Sequence, residues 1–319
     1  MRTFKYIIKR LIFLIITFFI IMTITFCLIK TLQQDIPLGK DGQVEMARRE
    51  ALGWNKPVMT QYGIYLKNIF TKWDWGTSFK VQYMQPVWTV LFTRMPATIM
   101  VNVFAIVLGL PFGVILGVIA AIKKNTVWDQ IISVVVVIFI SVPSFVLAFF
   151  LQYFLGFKLQ WFPIIMSSIQ DAGGMWTFKM IYSAMLPILA SAFYEIAYFA
   201  RTIRAELTEA LTSDYMLLAR TKGLTKGKAI VHHALKNAMV PILPVIIGTF
   251  LSVMGGSMVL EQIFAIPGVG SLTLQSLYAR DYDLFVGTSM FYTAFGLLAA
   301  ILTDLSYGFL DPRIKMGER

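Results

Sequence analysis

Residues 95–122 read MPATIMVNVFAIVLGLPFGVILGVIAAI, and no charged residue lies between Arg94 and Lys123. A helix needs roughly 20 predominantly apolar residues to cross the hydrocarbon core of a bilayer, so this stretch predicts a membrane-spanning helix. The composition agrees, because 57% of the residues are hydrophobic and 14% are charged, whereas soluble domains have about 25% charged residues. These values exclude an ordinary soluble enzyme and a disordered chain.

Long gaps between charges recur along the chain. They leave five further candidate spans, at residues 11–29, 130–157, 180–200, 237–260 and 284–303. The sequence therefore predicts an all-α membrane protein with six transmembrane helices. Residues 159–170 are apolar but too short to span and contain Pro163, which predicts an interfacial or re-entrant piece. The apolar run within 1–30 is longer than the about 7–15 residues of a signal peptide, so we interpret it as an uncleaved first helix.

Basic residues are concentrated at the N-terminus, in the 122–130 and 201–236 loops and at the C-terminus. Short loops rich in Lys and Arg stay in the cytoplasm, so we predict that both termini are cytoplasmic. The predicted organisation is a tail and first helix at 1–30, an extracytoplasmic segment at 31–95, a five-helix core at 96–310 that includes the 201–236 loop, and a cytoplasmic tail at 311–319. In the extracytoplasmic segment, Trp54, Trp73, Trp75 and Trp88 fit either a folded cap or a belt at the membrane interface.

The 201–236 loop contains the signals of a short helix. Ser213 is a good N-cap residue, whose hydroxyl can accept from backbone N–H groups, and Gly223 suits the left-handed position that follows a helix. Asp214 lies in the first turn and Arg220 and Lys222 in the last, where their charges are favoured. One face of the helix carries Tyr215, Leu218, Ala219 and Lys222. This face fits docking on a partner protein, and it also fits contact with lipid headgroups.

Other chemistry-bearing patterns are incomplete. Residues 223–228 imitate a phosphate-binding loop, but the spacing of the two glycines is one residue too short and Ala229 replaces Ser or Thr. His232 and His233 are adjacent, so they cannot form the i, i+4 pair of a helical metal site. The single cysteine, Cys27, excludes a disulfide framework. We predict no catalytic residue, no metal site and no cofactor on this chain, and we attribute the net charge of +11 to a membrane face and not to nucleic acid.

Glu195 is the acidic residue within the fourth predicted span. A carboxylate inside the membrane is costly and is a functional candidate for that reason. One interpretation is that Glu195 lines a substrate or proton pathway. The alternative is that it pairs with a basic residue of another helix. Asp304, near the inner end of the last span, we interpret as structural.

Several short motifs occur in an order that is highly specific when taken together. They are Tyr6-Ile7-Ile8-Lys9-Arg10-Leu11, Leu52-Gly53, Lys56-Pro57, Gln61-Tyr62, Asp74-Trp75-Gly76, Pro96-Ala97-Thr98, Asp214-Tyr215, Ala219-Arg220-Thr221-Lys222-Gly223-Leu224, His233-Ala234-Leu235-Lys236-Asn237-Ala238, Glu261, Phe264, Ile266-Pro267-Gly268-Val269-Gly270, Arg280-Asp281-Tyr282 and Leu310-Asp311-Pro312-Arg313-Ile314. Over nearly its whole length the chain resembles the B-type permease subunits of bacterial oligopeptide, dipeptide and nickel ATP-binding-cassette importers.

The resemblance implies a six-helix permease of the type I importer kind, located in the bacterial cell membrane and surrounded by its lipid. It implies three kinds of partner protein: a second, C-type permease, two ATPase subunits that bind ATP and Mg²⁺, and an extracytoplasmic solute-binding lipoprotein. It also implies that the short helix of the inner loop couples the permease to an ATPase. The residues implied in coupling are Asp214, Tyr215, Leu218, Ala219, Arg220, Lys222, Gly223 and Leu224.

Two other classes of function stay open at this point. A secondary transporter could be driven by protons through Glu195, and a membrane enzyme could act on lipids, although the sequence offers no acid/base cluster for it. Within the importer family, peptides are the expected solute, and nickel and other solutes are alternatives.

Overall fold

The protein is described here from a computed structural model, which covers residues 2–32 and 39–310. The predicted C-terminal tail, 311–319, lies outside the described residues, as does the closing motif from Asp311 to Ile314. The helices are α1 Arg2–Thr31, α2 Gly39–Ala51, α3 Val58–Lys72, α4 Val87–Ile122, α5 Val127–Ser141, α6 Ser144–Leu151, α7 Ile169–Ala172, α8 Phe178–Ser183, α9 Met185–Leu211, α10 Asp214–Thr221, α11 Lys226–Ala229, α12 Leu235–Leu251, α13 Met258–Ile263, α14 Val269–Tyr278 and α15 Tyr282–Leu310. Strands β1 Thr77–Ser78 and β2 Gln85–Pro86 form an antiparallel hairpin. Two π-helical segments, Gln152–Lys158 and Ile230–Ala234, follow α6 and α11, and a 3₁₀ turn, Ser252–Gly255, follows α12.

Four helical stretches in the described part of the chain are long and apolar enough to cross a membrane. They are Tyr6–Thr31, Val87–Ile122, Lys226–Gly255 and Tyr282–Tyr307. Helix α9 occupies the fourth predicted span, but it lies outside this set because Glu195 and the charges of its last turns lower its hydropathy.

The third predicted span, 130–157, is not one straight helix. Residues Val127–Ser141 and Ser144–Lys158 form two helical pieces, and the direction of the helix axis bends by 103° between them. Pro143 is the cause, because proline disfavours the helical conformation of the preceding residue and lacks the N–H that would continue the helix. Val142 is accordingly extended, with ψ 124°. If the bent pair counts as one span, the number of candidate spans rises to five.

A stripe of glycines brings α4 and α9 into close contact. A Cβ added at Gly113 would lie 2.6 Å from Phe199 Cβ, and one at Gly117 would lie 2.8 Å from the Ala200 carbonyl oxygen. Gly109 packs in the same way against Glu195. Each step of four residues along α4 matches a step of four along α9, so the two helices run parallel. Small residues at this spacing let membrane helices approach until their backbones touch.

Residues 39–95 are folded rather than extended. Helices α2 and α3 and the β1–β2 hairpin precede α4, which begins at Val87 and so starts before the predicted boundary at residue 95. The helix begins before Arg94 because helix formation does not require an uncharged sequence. Trp88 of α4 stacks on Trp73 with ring centroids 5.9 Å apart and makes an edge contact with Trp75 at 5.7 Å. These aromatic contacts join the segment to α4.

An ion pair fastens α2 to the loop that follows α3. The Arg48 guanidinium donates to both carboxylate oxygens of Asp74, at 2.7 and 2.6 Å, and the Gly76 N–H donates to the same carboxylate. Burial acts to raise the pKa of Asp74, but these hydrogen bonds outweigh it, so the pKa of this carboxyl lies below its ordinary value.

Asp281, between α14 and α15, holds the hairpin in place. One carboxylate oxygen accepts from the Ser78 hydroxyl at 2.6 Å, the Lys80 N–H at 3.0 Å and the Val81 N–H at 3.1 Å. The residue is only 4% exposed, so water does not compete with these bonds. The motif Arg280-Asp281-Tyr282 therefore has a structural role here, in which the carboxylate fixes the turn of the hairpin to the start of α15.

We expect Asp281→Asn to loosen the hairpin. A hydrogen bond to a charged group contributes about 1.5–3 kcal/mol, and the amide weakens three such bonds at once. The expected result is a loss of about 2–4 kcal/mol in stability, seen as a lower thermal midpoint of the purified protein and faster proteolysis between Thr77 and Pro86. Asp171→Asn is the matched control, because Asp171 is exposed and, among the described residues, its carboxylate accepts a hydrogen bond from Ser168 alone. Equal effects of the two changes would contradict the assignment.

The buried side chain of Glu261 explains why the motif from Ile266 to Gly270 contains glycines. Its carboxylate accepts from the Thr98 hydroxyl and from the Ser271 N–H, both at 2.8 Å, and it is 3% exposed. A Cβ at Gly268 or Gly270 would collide with this carboxylate. The glycines therefore leave room for a buried acid that ties α13, α14 and α4 together.

Candidate functional site

A cavity of about 560 Å³ lies where several helices are interrupted. It is lined by Asn102, Ala105, Ile106, Ile140, Val142, Pro143, Ser144, Ala190, Ser191, Tyr194, Glu195, Thr249, Ser252, Val253, Gly255, Gly256, Ser257 and Leu260. Two interruptions contribute to the wall: the bend at Val142 and Pro143, and the end of α12, where the 3₁₀ turn leads to Gly256 with φ +53°. Irregular backbone at membrane depth is tolerated only where it is buried in protein or lines a cavity. The broken helices therefore identify this cavity as the candidate pathway.

Asn102 fixes one side of the cavity. Its side-chain amide donates to the Val253 carbonyl oxygen at 2.7 Å, which ties α4 to the 3₁₀ turn. This bond satisfies a carbonyl that the interruption of α12 leaves without its helical partner.

Glu195 lies on the wall of this cavity, half-buried. Across residues 2–32 and 39–310, its carboxylate makes no ion pair and no hydrogen bond to another side chain. The expected alternative, a partner among the basic residues of another helix, is not found in that part of the chain. The structure thus places Glu195 on the wall of a cavity, without an ion-pair partner among the described residues.

The predicted short helix forms α10, and its C-terminal end matches the prediction closely. Gly223 has φ +89°. Its N–H donates to the Arg220 carbonyl at 3.0 Å, and the Leu224 N–H donates to the Ala219 carbonyl at 3.3 Å. This pair of bonds is the Schellman motif, which ends helices at a left-handed glycine. Asp214 lies in the first turn and Arg220 in the last, as predicted.

The predicted cap by the Ser213 side chain is wrong. Ser213 occupies the N-cap position, but its hydroxyl donates to the Ala210 carbonyl oxygen at 2.6 Å and accepts from no backbone N–H of α10. Serine hydroxyls compete for nearby carbonyls in this way. Here the end of α9 supplies the carbonyl three residues back.

Tertiary packing buries one part of the predicted face of α10 and leaves the other part exposed. Ala219 is buried together with Met216 against the chain's own core, whereas Leu218 is 56% exposed and its neighbour Leu217 is 67% exposed. Asp214, Arg220, Lys222 and Gly223 are exposed, and Tyr215 and Leu224 are half-buried. The exposed leucine pair, Leu217 and Leu218, is the apolar surface that a partner could cover. Sequence reasoning missed Leu217, although two adjacent leucines on a short polar helix were a usable signal.

The inner side of α10 is anchored to the ends of long helices. Ala219 and Met216 pack with Ala121 of α4 and Leu207 of α9. Near this cluster, Arg204 of α9 donates to both carboxylate oxygens of Asp129, at 2.6 and 2.9 Å, which joins α9 to the start of α5. Helix α9 then runs from Leu211, which also packs against this cluster, to Glu195, about 24 Å at 1.5 Å per residue. One continuous helix therefore connects α10 to the cavity.

Gly223→Val is expected to disturb the end of α10 through the backbone alone. Nothing lies within 4 Å of a Cβ at this position, so the change adds no clash. A β-branched residue in a left-handed conformation costs about 1–3 kcal/mol. If α10 couples the chain to a partner ATPase, as the resemblance implies, solute uptake should fall several-fold, together with the stimulation of the ATPase. Gly227→Val is the control, because its site is equally open and has no positive φ. Unchanged transport by a correctly inserted Gly223→Val protein would argue against a role for this helix end.

No group of three or more His, Cys, Asp or Glu side chains in the described residues could hold a metal ion. Asp304 contacts Arg10 in an ion pair that joins α15 to α1. This pairing agrees with the structural role predicted for Asp304.

Comparison with known proteins gives matches along most of the chain. Residues 113–316 match the family model described as "Binding-protein-dependent transport system inner membrane component", and residues 3–102 match the model of the N-terminal part of such components. A dipeptide transport system permease protein of Lactococcus lactis is 35% identical over 98% of this chain and 99% of its own length. An oligopeptide transport system permease protein of Escherichia coli is 33% identical over 98% and 99%. In fold, the chain is similar to a crystal structure of an amino acid ABC transporter with histidines, with TM-score 0.53 and 18% identity over 70% of this chain and 94% of that one.

Proposed function

The chain belongs to the family of binding-protein-dependent transport system inner membrane components, and we propose that it is the permease subunit that forms half of a peptide pathway in an ATP-driven importer. The observation that carries the proposal is similarity to dipeptide and oligopeptide permeases over nearly the full length of both chains. The cavity at the broken helices, with Glu195 on its wall, supports a translocation role. The family assignment favours this reading over a proton-driven secondary transporter.

The proposal includes six membrane crossings, with the bent pair of α5 and α6 as the third and α9 as the fourth. Both termini and the 201–236 loop then face the cytoplasm, and residues 31–95 face the outside. Two contacts support this arrangement. The Asp129–Arg204 pair brings the start of α5 to the last turns of α9, and Arg10 of α1 reaches Asp304 of α15, which fits termini on one side.

The partners proposed are a second permease, two ATPases and an extracytoplasmic binding protein. ATP and Mg²⁺ would be bound by the ATPases, and this chain contributes no cofactor site. Helix α10 would insert Leu217 and Leu218 into a cleft of one ATPase. Closure of the ATPases can drive the permease only if the two states offer α10 different contacts. The continuous helix α9 would carry that difference to the cavity.

Co-expression with candidate partners tests the proposal. We expect the chain to co-purify with a second permease and two ATPases, and the reconstituted complex to accumulate peptides only when ATP and loaded binding protein are present. Uptake that survives ATP depletion but stops when the proton gradient collapses would select the secondary transporter. Uptake of nickel in place of peptides would support the proposal of an ATP-driven importer and overturn the proposal that its solute is a peptide.

A further inference from the structure

We infer that Glu195 binds the N-terminal ammonium group of a peptide while the peptide occupies the cavity. This inference rests on the proposed peptide function and adds to it a specific contact on this chain. Three observations carry it: the charge of the cavity wall, the absence of a partner for Glu195 within residues 2–32 and 39–310, and the neutral polar side chains around it.

Glu195 is the charged residue in the lining of the cavity. The other polar side chains of the wall are neutral: Asn102, Ser144, Ser191, Tyr194, Thr249, Ser252 and Ser257. Among the described residues that line the cavity, none is Lys, Arg or His. The wall that this chain contributes therefore favours a cation over an anion, and the favourable position for that cation is next to the Glu195 carboxylate.

An unpaired carboxylate at membrane depth is expensive to maintain. Such groups persist where a binding partner, water or an ion satisfies them during function. A peptide importer must move solutes whose side chains differ, so a useful contact is one that every substrate shares. The α-amino group has a pKa of about 7.7–8.0 in unperturbed peptides, so most peptides carry this positive charge at neutral pH.

The neutral part of the wall suits the rest of the peptide. Thr249 and Ser252 donate to backbone carbonyls of α12, which leaves their hydroxyl oxygens able to accept hydrogen bonds. The other hydroxyls, and the backbone groups that the breaks near Pro143 and Gly256 leave outside helices, are further neutral hydrogen-bonding groups. These groups can bind peptide bonds without selecting a side chain. A single ion pair among weak neutral contacts also permits release, which conduction through a pathway requires.

The experiment uses the complete transporter in proteoliposomes, with trialanine and N-acetyl-trialanine as probes. Each probe is supplied preloaded on the binding protein, and uptake is expressed per loaded binding protein. Glu195→Gln keeps the shape of the side chain and removes its charge. We expect it to lower uptake of trialanine by at least tenfold, to leave stimulated ATPase activity within twofold of the unmodified transporter, and to leave uptake of N-acetyl-trialanine unchanged. Glu195→Asp should restore part of the trialanine uptake.

Glu209→Gln is the matched control, because Glu209 is an exposed acid on the same helix and does not line the cavity. The inference is wrong if Glu195→Gln transports trialanine at the rate of the unmodified protein. It is also wrong if both peptides lose uptake equally, or if assembly and ATPase stimulation are lost together with transport. Failure of the unmodified transporter to move either peptide would instead overturn the proposed function, so the two failures are distinguishable.

Discussion

Gly113→Leu is expected to prevent α4 and α9 from packing and so to deplete the folded protein from the membrane. The first atom of the new side chain would already lie 2.6 Å from Phe199 Cβ and 3.0 Å from the Ile196 carbonyl oxygen. These atoms belong to, or adjoin, the backbone of α9, so rotation of a side chain cannot relieve the contact. Overpacking costs about 1–3 kcal/mol, occasionally more, and we expect the upper end of that range or beyond.

The measurement is the yield of folded protein after mild detergent extraction, together with its thermal midpoint. We expect the yield to fall at least tenfold. Gly296→Leu is the matched control, because Gly296 lies in membrane-spanning α15 and has nothing within 4 Å of an added Cβ. It makes the same chemical change at the same kind of position but in open space. Similar yields from the two variants would show that the close approach of α4 and α9 is not required for folding.

The glycine stripe of α4 is visible in the sequence, but the glycines alone do not predict which helix packs against them. The long stretch without charged residues predicted that α4 crosses the membrane, because an apolar stretch of this length is typical of a transmembrane helix. Gly109, Gly113 and Gly117 follow the small-residue spacing of packed membrane helices. The identity of the partner helix does not follow from that spacing. Contact with α9 depends on how the bundle assembles over residues far apart in the chain.

In the third predicted span, the length of the uncharged run and the effect of a single proline point to different structures. The uncharged run 130–157 predicted one helix, although a proline at position 143 acts against a straight helix near its middle. Proline effects act on the adjacent residues, but the angle between the two pieces depends on what each packs against. The bend of 103° therefore required the structure.

The candidate site was predictable in part. Glu195 could be singled out from sequence because an acid within an apolar span is rare. Its surroundings could not, since the cavity wall combines segments from α4, the α5–α6 bend, α9 and the end of α12. In α10, the helix end at Gly223 followed from local chemistry. The burial of Ala219 depended on packing against α4 and α9, which local sequence does not encode.

Leu218→Asp is expected to uncouple the transporter while leaving its fold intact. The side chain is 56% exposed in this chain alone, so a charge there meets water and should not destabilise the subunit. In the proposed complex the same position lies in an ATPase cleft, where loss of a central apolar contact costs about 2 kcal/mol or more. Burial of an unpaired carboxylate adds to that cost. A difference of about 2 kcal/mol corresponds to roughly 30-fold in an equilibrium constant.

We therefore expect peptide uptake and binding-protein-stimulated ATPase activity to fall by at least tenfold in proteoliposomes, with a normal yield and thermal midpoint of the isolated chain. Leu218→Met is the control, because it keeps an apolar side chain of similar volume and should transport at nearly the unmodified rate. Co-purification of the ATPases gives a second readout, and it should weaken for aspartate alone. The rival interpretation, in which α10 lies on lipid headgroups, predicts that the ATPases stay bound and stimulated in the aspartate variant. That result would show that α10 does not couple the permease to the ATPase. Helix α9, which extends about 24 Å from Glu195 to its end over about 16 residues, would then have no contact through which closure of the ATPases could reach the cavity.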